Sequence, residues 1–125
     1  MKDTLRIVEE VLRYPFKALN FAKHVTEGPF LDGEPVLATD PKTAYLYAYD
    51  VLRDRFYRGE ETIAKSPDYA YFYARDVIKG RWKKGEEAIY SSIPSAILYS
   101  EFLKELYEAR AAKGCSKKGS KNKTK

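Results

Sequence analysis

The sequence predicts an all-α fold, a short α-solenoid of about four 26-residue helix-turn-helix repeats with capping terminal helices. Three observations carry this expectation. The chain repeats itself every 26 residues, and a proline behind a capping residue recurs in the repeat. The residues after that proline follow the i, i+3, i+4, i+7 spacing of a packed helix face.

The repeats read PFLDGEPVLATDPKTAYLYAYDVLRD (29–54), RFYRGEETIAKSPDYAYFYARDVIKG (55–80) and RWKKGEEAIYSSIPSAILYSEFLKEL (81–106), and the first two agree at eleven of 26 positions. Columns run through Phe30, Phe56 and Trp82, through Gly33, Gly59 and Gly85, through Glu34, Glu60 and Glu86, and through Tyr47, Tyr73 and Tyr99. A worn copy precedes them over 3–28. There Pro15, Ala18, Phe21, Ala22 and Val25 keep the register and the glycine-glutamate pair is missing. The helical repeat domain is therefore expected over 1–112, with a C-terminal cap after 106.

Each repeat is expected to hold a short helix and a longer one. Asp40 and Ser66 are suited to N-capping, and Pro41 and Pro67 occupy a first turn whose N–H groups lack partners. The longer helix should run about thirteen residues, to Arg53 and to Lys79, with Gly80 taking the left-handed conformation that ends it. Gly59 and Gly85 should open the shorter helix, and the glutamates that follow suit its positive end through hydrogen bonds at the helix start.

Ala44, Tyr47, Ala48 and Val51, repeated as Ala70, Tyr73, Ala74 and Val77, make one packed face, which Tyr45, Leu52, Tyr71 and Ile78 widen. A helix apolar over so much of its circumference is sandwiched between neighbours. Tyr47, Tyr73 and Tyr99 are accordingly expected to form a core ladder, with a ligand or nucleobase platform as the alternative. Their hydroxyls should reach solvent or a backbone carbonyl. The terminal copies should cap the stack with polar outer surfaces: the first opens on the amphipathic MKDTLRIVEEVLRY, with Leu5, Val8, Val11 and Leu12 on one side, and the last replaces the recurrent Asp50 and Asp76 by Phe102.

Charge divides unevenly. Of a net +5, the segment 113–125 carries six lysines and no acidic residue, so residues 1–112 carry about −1. That segment, KGCSKKGSKNKTK, lacks apolar periodicity and is expected to be a disordered basic tail. Neither a secretory leader nor a membrane span is legible, and the single Cys115 suits a reducing compartment, so the expected location is cytoplasmic.

EGPFLDGEPVLATDP and RFYRGEETIAKSPDYAYFYARDVIKGRW resemble tandem repeats of the form F-x-x-G-E-x-x-I-A-x-x-P-x-Y-A-Y-x-Y-A-x-x-V found in uncharacterised proteins of tailed bacteriophages and related viruses. The resemblance covers about residues 27–106. It implies a helical repeat fold and a viral setting, hence the cytoplasm of a host cell, and brings no catalytic residue with it. In unit size the repeats are also similar to leucine-rich-variant repeats.

Chemistry is sparse. One histidine and one cysteine stand far apart, with no HExxH, paired CxxC or GxxxxGK, so neither enzyme activity nor a metal or cofactor is expected. His24, in the column of Asp50 and Asp76, reads as a surface residue. Arg55 and Arg81 are expected to pair with Asp50 and Asp76 across the repeat junctions.

Two functions are expected. The first is a non-enzymatic viral module that binds a host protein, such as a defence, replication or transcription component, with inhibition as one consequence, acting as a monomer or weak oligomer. Its candidate partner-binding residues are Leu46, Tyr49, Tyr69, Phe72, Arg75 and Leu98, on the side away from the packed face. The alternative is a nucleic-acid-binding accessory protein. Its basic strip comprises Arg53, Arg55, Arg58, Lys79, Arg81, Lys83 and Lys84 at the repeat junctions, and Lys117 and Lys118 in the tail, with Tyr57 and Trp82 available for stacking.

Overall fold

Helix follows helix through the computed structural model, which describes residues 8–118 and their side chains through 112; no strand occurs among the described residues. After a helical stretch at 8–11, the worn copy contributes Pro15–Phe21 and Ala22–Thr26. The next repeat places a 3-10 turn at Leu31–Gly33, a short α-helix at Glu34–Leu37 and a longer helix at Pro41–Leu46 that continues as Tyr47–Leu52. Tyr57–Gly59, Glu60–Ile63, Pro67–Tyr73 and Ala74–Ile78 repeat that order, and Lys83–Tyr90 and Ile93–Lys118 complete the stack. The architecture is the expected all-α helical repeat.

Starts of the longer helices follow their chemistry. The Thr43 N–H donates to Asp40 Oδ2 at 2.9 Å and the Tyr69 N–H to Ser66 Oγ at 3.4 Å, each ahead of a proline that gives up no hydrogen bond. Their ends differ from expectation. Ala22–Thr26, Tyr47–Leu52 and Ala74–Ile78 are π-helical, and the left-handed residues that stop them are Glu27, Arg53 and Lys79. Gly80 is not the stop. The Ala74 carbonyl accepts from the N–H groups of both Lys79 (2.7 Å) and Gly80 (3.2 Å), and that shared acceptor forces the turn at residue 79.

An aromatic spine runs through the stack. Tyr47, Tyr73 and Tyr99 are fully buried, as the ladder reading requires. Rings alternate across the junctions, Phe21 on Phe30 (4.9 Å), Tyr47 on Phe56 (4.9 Å) and Tyr73 on Trp82 (4.7 Å). The glycine column follows from this spine. A Cβ on Gly59 would lie 2.7 Å from the Phe56 ring and 2.9 Å from Ala44 Cβ, and one on Gly85 would lie 2.6 Å from Trp82 and 3.1 Å from Ala70 Cβ. Close approach, rather than backbone conformation, demands glycine there, since φ at Gly59 is an ordinary −97°.

The ends of the stack need two corrections. The last helix continues to Lys118, through the first part of the segment expected to be disordered, because extending an existing helix adds one hydrogen bond for each residue ordered. Residues 119–125 and Leu5 lie outside the described residues. Polar capping at the C-terminal end is only partial: Ser100 and Lys104 replace the small and apolar residues of earlier copies, yet Ile93 and Ile97 stay exposed. Among the described residues, no helix is long and apolar enough to cross a membrane.

Candidate interaction surface

Two side-chain systems depend on the repeat register. One is internal. In each complete copy a tyrosine hydroxyl accepts a backbone N–H and donates to a glutamate. The Phe56 N–H reaches Tyr73 Oη at 2.9 Å, and Tyr73 Oη donates to Glu60 Oε2 at 2.7 Å. Phe30, Tyr47 and Glu34 repeat this at 2.8 and 2.8 Å, and Trp82, Tyr99 and Glu86 at 3.0 and 2.7 Å. Burial first, then the neighbouring carboxylate, pushes all three phenols far above their ordinary range, so each hydroxyl keeps its proton.

Arginine completes the unit. Arg55 donates to Glu60 through Nε and Nη2 (2.8 and 2.9 Å), and Arg81 to Glu86 (2.7 and 3.2 Å). These contacts replace the expected pairs with Asp50 and Asp76, because each arginine stands five residues before its glutamate, just ahead of the helical turns that carry it. The aspartates face the preceding repeat instead: Asp50 lies 3.7 Å from Lys23, and Asp76 accepts from Tyr45 at 2.6 Å. The glutamates likewise serve tyrosine and arginine rather than the N–H groups of the helix start. Where Pro29 stands in the arginine column, Arg58 of the following repeat approaches Glu34 at 3.8 Å.

The second system reaches the surface. Tyr45 is its hub, with the rings of Tyr49, Tyr69 and Phe72 at 5.8, 5.9 and 5.9 Å, and Tyr69 meets Phe72 edge-on at 5.5 Å. The Arg75 guanidinium lies 5.2 Å from the Tyr71 ring centre and 5.3 Å from that of Phe72, and it grips Asp76 through two 2.8 Å bonds. Burial opposes ionisation of Asp76, but hydrogen bonds from Arg75 and Tyr45 outweigh it and hold the carboxyl below its ordinary range. The cluster is fixed at its base and open at Tyr49 and Arg75.

The structure thus brings together Tyr49, Tyr69, Phe72 and Arg75. Leu46 is half-buried against the core, and Leu98 stands exposed on the last helix. Tyr45, Tyr71 and Asp76 were missed as surface organisers; the first two share the i, i+3, i+4 neighbourhood of Tyr49 and Arg75, which is the signal that could have found them. An open cleft adjoins the cluster, lined by Tyr49, Asp50, Arg53, Asp54, Asp76 and Lys79, where the π-helical ends of successive repeats meet.

The basic strip is less coherent. Arg55 and Arg81 are engaged by buried or partly buried glutamates, and Arg53 and Lys79 share their cleft with three aspartates. Lys83 and Lys84 are exposed, Lys84 in a shallow cleft with Glu61 and Glu87. Trp82 is buried and offers no stacking face, whereas Tyr57 is exposed beneath the Arg55 guanidinium at 4.7 Å. Lys117 and Lys118 lie on the last helix, beyond the described side chains. Among the described residues no cluster of three or more histidine, cysteine, aspartate or glutamate side chains is arranged to hold a metal.

No family model matches the chain, and no curated protein or solved structure is significantly similar to it.

Proposed function

We propose that the chain is a non-enzymatic interaction module that docks a protein partner on the Tyr45-centred cluster. The observation that carries this reading is the convergence of Tyr49, Tyr69 and Phe72, from two successive repeats, on one hub, with Arg75 over Phe72, beside an open cleft. Aromatic and arginine side chains held rigidly at a surface are the groups that most often anchor protein interfaces, since they bring area at low entropic cost. In the viral setting implied by the repeat resemblance, the partner is a host protein of defence, replication or transcription, met in the host cytoplasm and inhibited by being bound.

The test is capture from bacterial lysate, with and without nuclease, by the full chain and by its Tyr49→Ala/Arg75→Glu variant. A protein retained by the parent after nuclease treatment and lost by the variant, at equal helicity, supports the reading. Equal retention by both places binding elsewhere. The lysine-rich segment favours a second reading, a nucleic-acid accessory role; it requires capture to vanish with nuclease and affinity to fall steeply with salt.

A further inference from the structure

We infer that the chain self-associates as a two-fold dimer through the outward stripe of its last helix, packed antiparallel about Ser100. The repeat register identifies the stripe. Ile97 occupies the column of Tyr45 and Tyr71, which are only 8% and 6% exposed. Tyr45 is covered because the next repeat lays Tyr69, Phe72 and Asp76 over it. No described residue covers Ile97 in this way: it is 53% exposed, Ile93 75% and Tyr107 74%. The surface that joins one repeat to the next is therefore continued, bare, onto the end of the stack. Ile93, Ile97, Ser100, Lys104 and Tyr107 share one face of the helix Ile93–Lys118, each three or four residues from the last.

The same register says what can cover it. A head-to-tail copy would offer the equivalents of Tyr69, Phe72 and Asp76 from its first copy, which are Lys17, Asn20 and His24, all exposed and polar. They do not match an isoleucine pair, so open-ended stacking is disfavoured. The stripe complements itself: it is apolar at both ends and small at its middle. An antiparallel pair centred on Ser100 sets Ile93 against Tyr107 of the second copy and lets the helix axes approach closely at the serine. The Lys104 stem lies along the apolar contact near Ile97 of the second copy, with its ammonium free to reach Glu101 at the rim. An isologous, closed contact of this kind buries every exposed member of the stripe.

Sedimentation equilibrium on the full chain, into the high-micromolar range, reads the mass. The expected result is a rise from 14.4 kDa toward twice that value, abolished by Ile97→Glu with an unchanged helical circular dichroism signal. Because Ile97 is exposed within one chain, the variant should fold. In a Cys115→Ser background, Ser100→Cys should form a disulfide-linked dimer under mild oxidation and Ile93→Cys should not, since a two-fold through residue 100 sets the two residues 100 side by side and sends the two residues 93 to opposite ends of the contact. A chain that stays monomeric overturns the proposal. So does an Ile97→Glu variant that associates like the parent, or a mass that doubles while Ser100→Cys fails to cross-link.

Discussion

Tyr73 and Glu60 form the buried link of the central repeat: the phenol donates to the carboxylate at 2.7 Å while accepting the Phe56 N–H at 2.9 Å, so one hydroxyl joins the long helix, the short helix and the junction loop. In the worn copy, Phe21 and Val8 stand in the tyrosine and glutamate columns. The two partners are absent together, as expected of groups that need each other.

Tyr73→Phe should keep the ring packing on Trp82, strand the Phe56 N–H and take one of two donors from Glu60 Oε2, which keeps Arg55 Nε. Leaving buried polar groups unpaired costs about 1–3 kcal/mol. Thermal unfolding followed by circular dichroism should show a clear drop in midpoint, whereas the exposed Tyr57→Phe should leave it unchanged.

Gly59→Ala should destabilise by about 1–3 kcal/mol, because the new methyl must displace the Phe56 ring or Ala44. Gly80→Ala is the contrast. A Cβ there meets nothing within 4 Å and the backbone is not left-handed, so reduced unfolded-chain freedom should leave stability equal or raised by about 0.5 kcal/mol. Denaturant midpoints of the two variants check both signs.

A double-mutant cycle on Arg55 and Glu60 should return a coupling of about 1–2 kcal/mol, the range for hydrogen bonds to a charged group, lowered by the partial exposure of Arg55. The same cycle on Arg81 and Asp76 should return essentially none. Coupling between Arg81 and Asp76 comparable to that of Arg55 and Glu60 would contradict the observed pairing.

Acid should loosen the fold through carboxylates held below their ordinary values. In Asp76, hydrogen bonds from Arg75 and Tyr45 overcome the opposing effect of burial; in Glu86, the hydrogen bond from Arg81 leads. A depressed folded-state value means that the stabilisation is complete above the unfolded value, 3.8 for Asp76 and 4.5 for Glu86, and is lost as pH falls from there through the lower folded values. Asp76→Asn should therefore flatten the acid limb of a stability profile and leave the slope near neutrality unchanged. Urea unfolding at stepped pH measures it.

The sequence by itself determined the period, the starts of the longer helices at Pro41 and Pro67 and the buried columns, whereas the short helix of the last repeat begins at Lys83 rather than at the expected Gly85. Identity at 26-residue spacing marks equal backbone roles, and Asp-Pro and Ser-Pro carry their capping chemistry locally. Only the tertiary structure decided which column touches which. Tyrosine meets glutamate 13 residues away and a backbone N–H 17 residues away, and Tyr45 meets Asp76 at 31. None of these offsets is a multiple of the repeat, so in-register identity cannot announce them. Arg55 and Arg81 take Glu60 and Glu86 rather than the expected aspartates for that reason, and Tyr45, buried as expected, is also the hub of a cluster that reaches the surface at Tyr49 and Arg75, because Tyr69 and Phe72 of the next repeat lie over it. The left-handed turn at Lys79 rather than Gly80 has the same origin: its position is set by which N–H groups converge on the Ala74 carbonyl, a relationship that exists only once the helix end is closed.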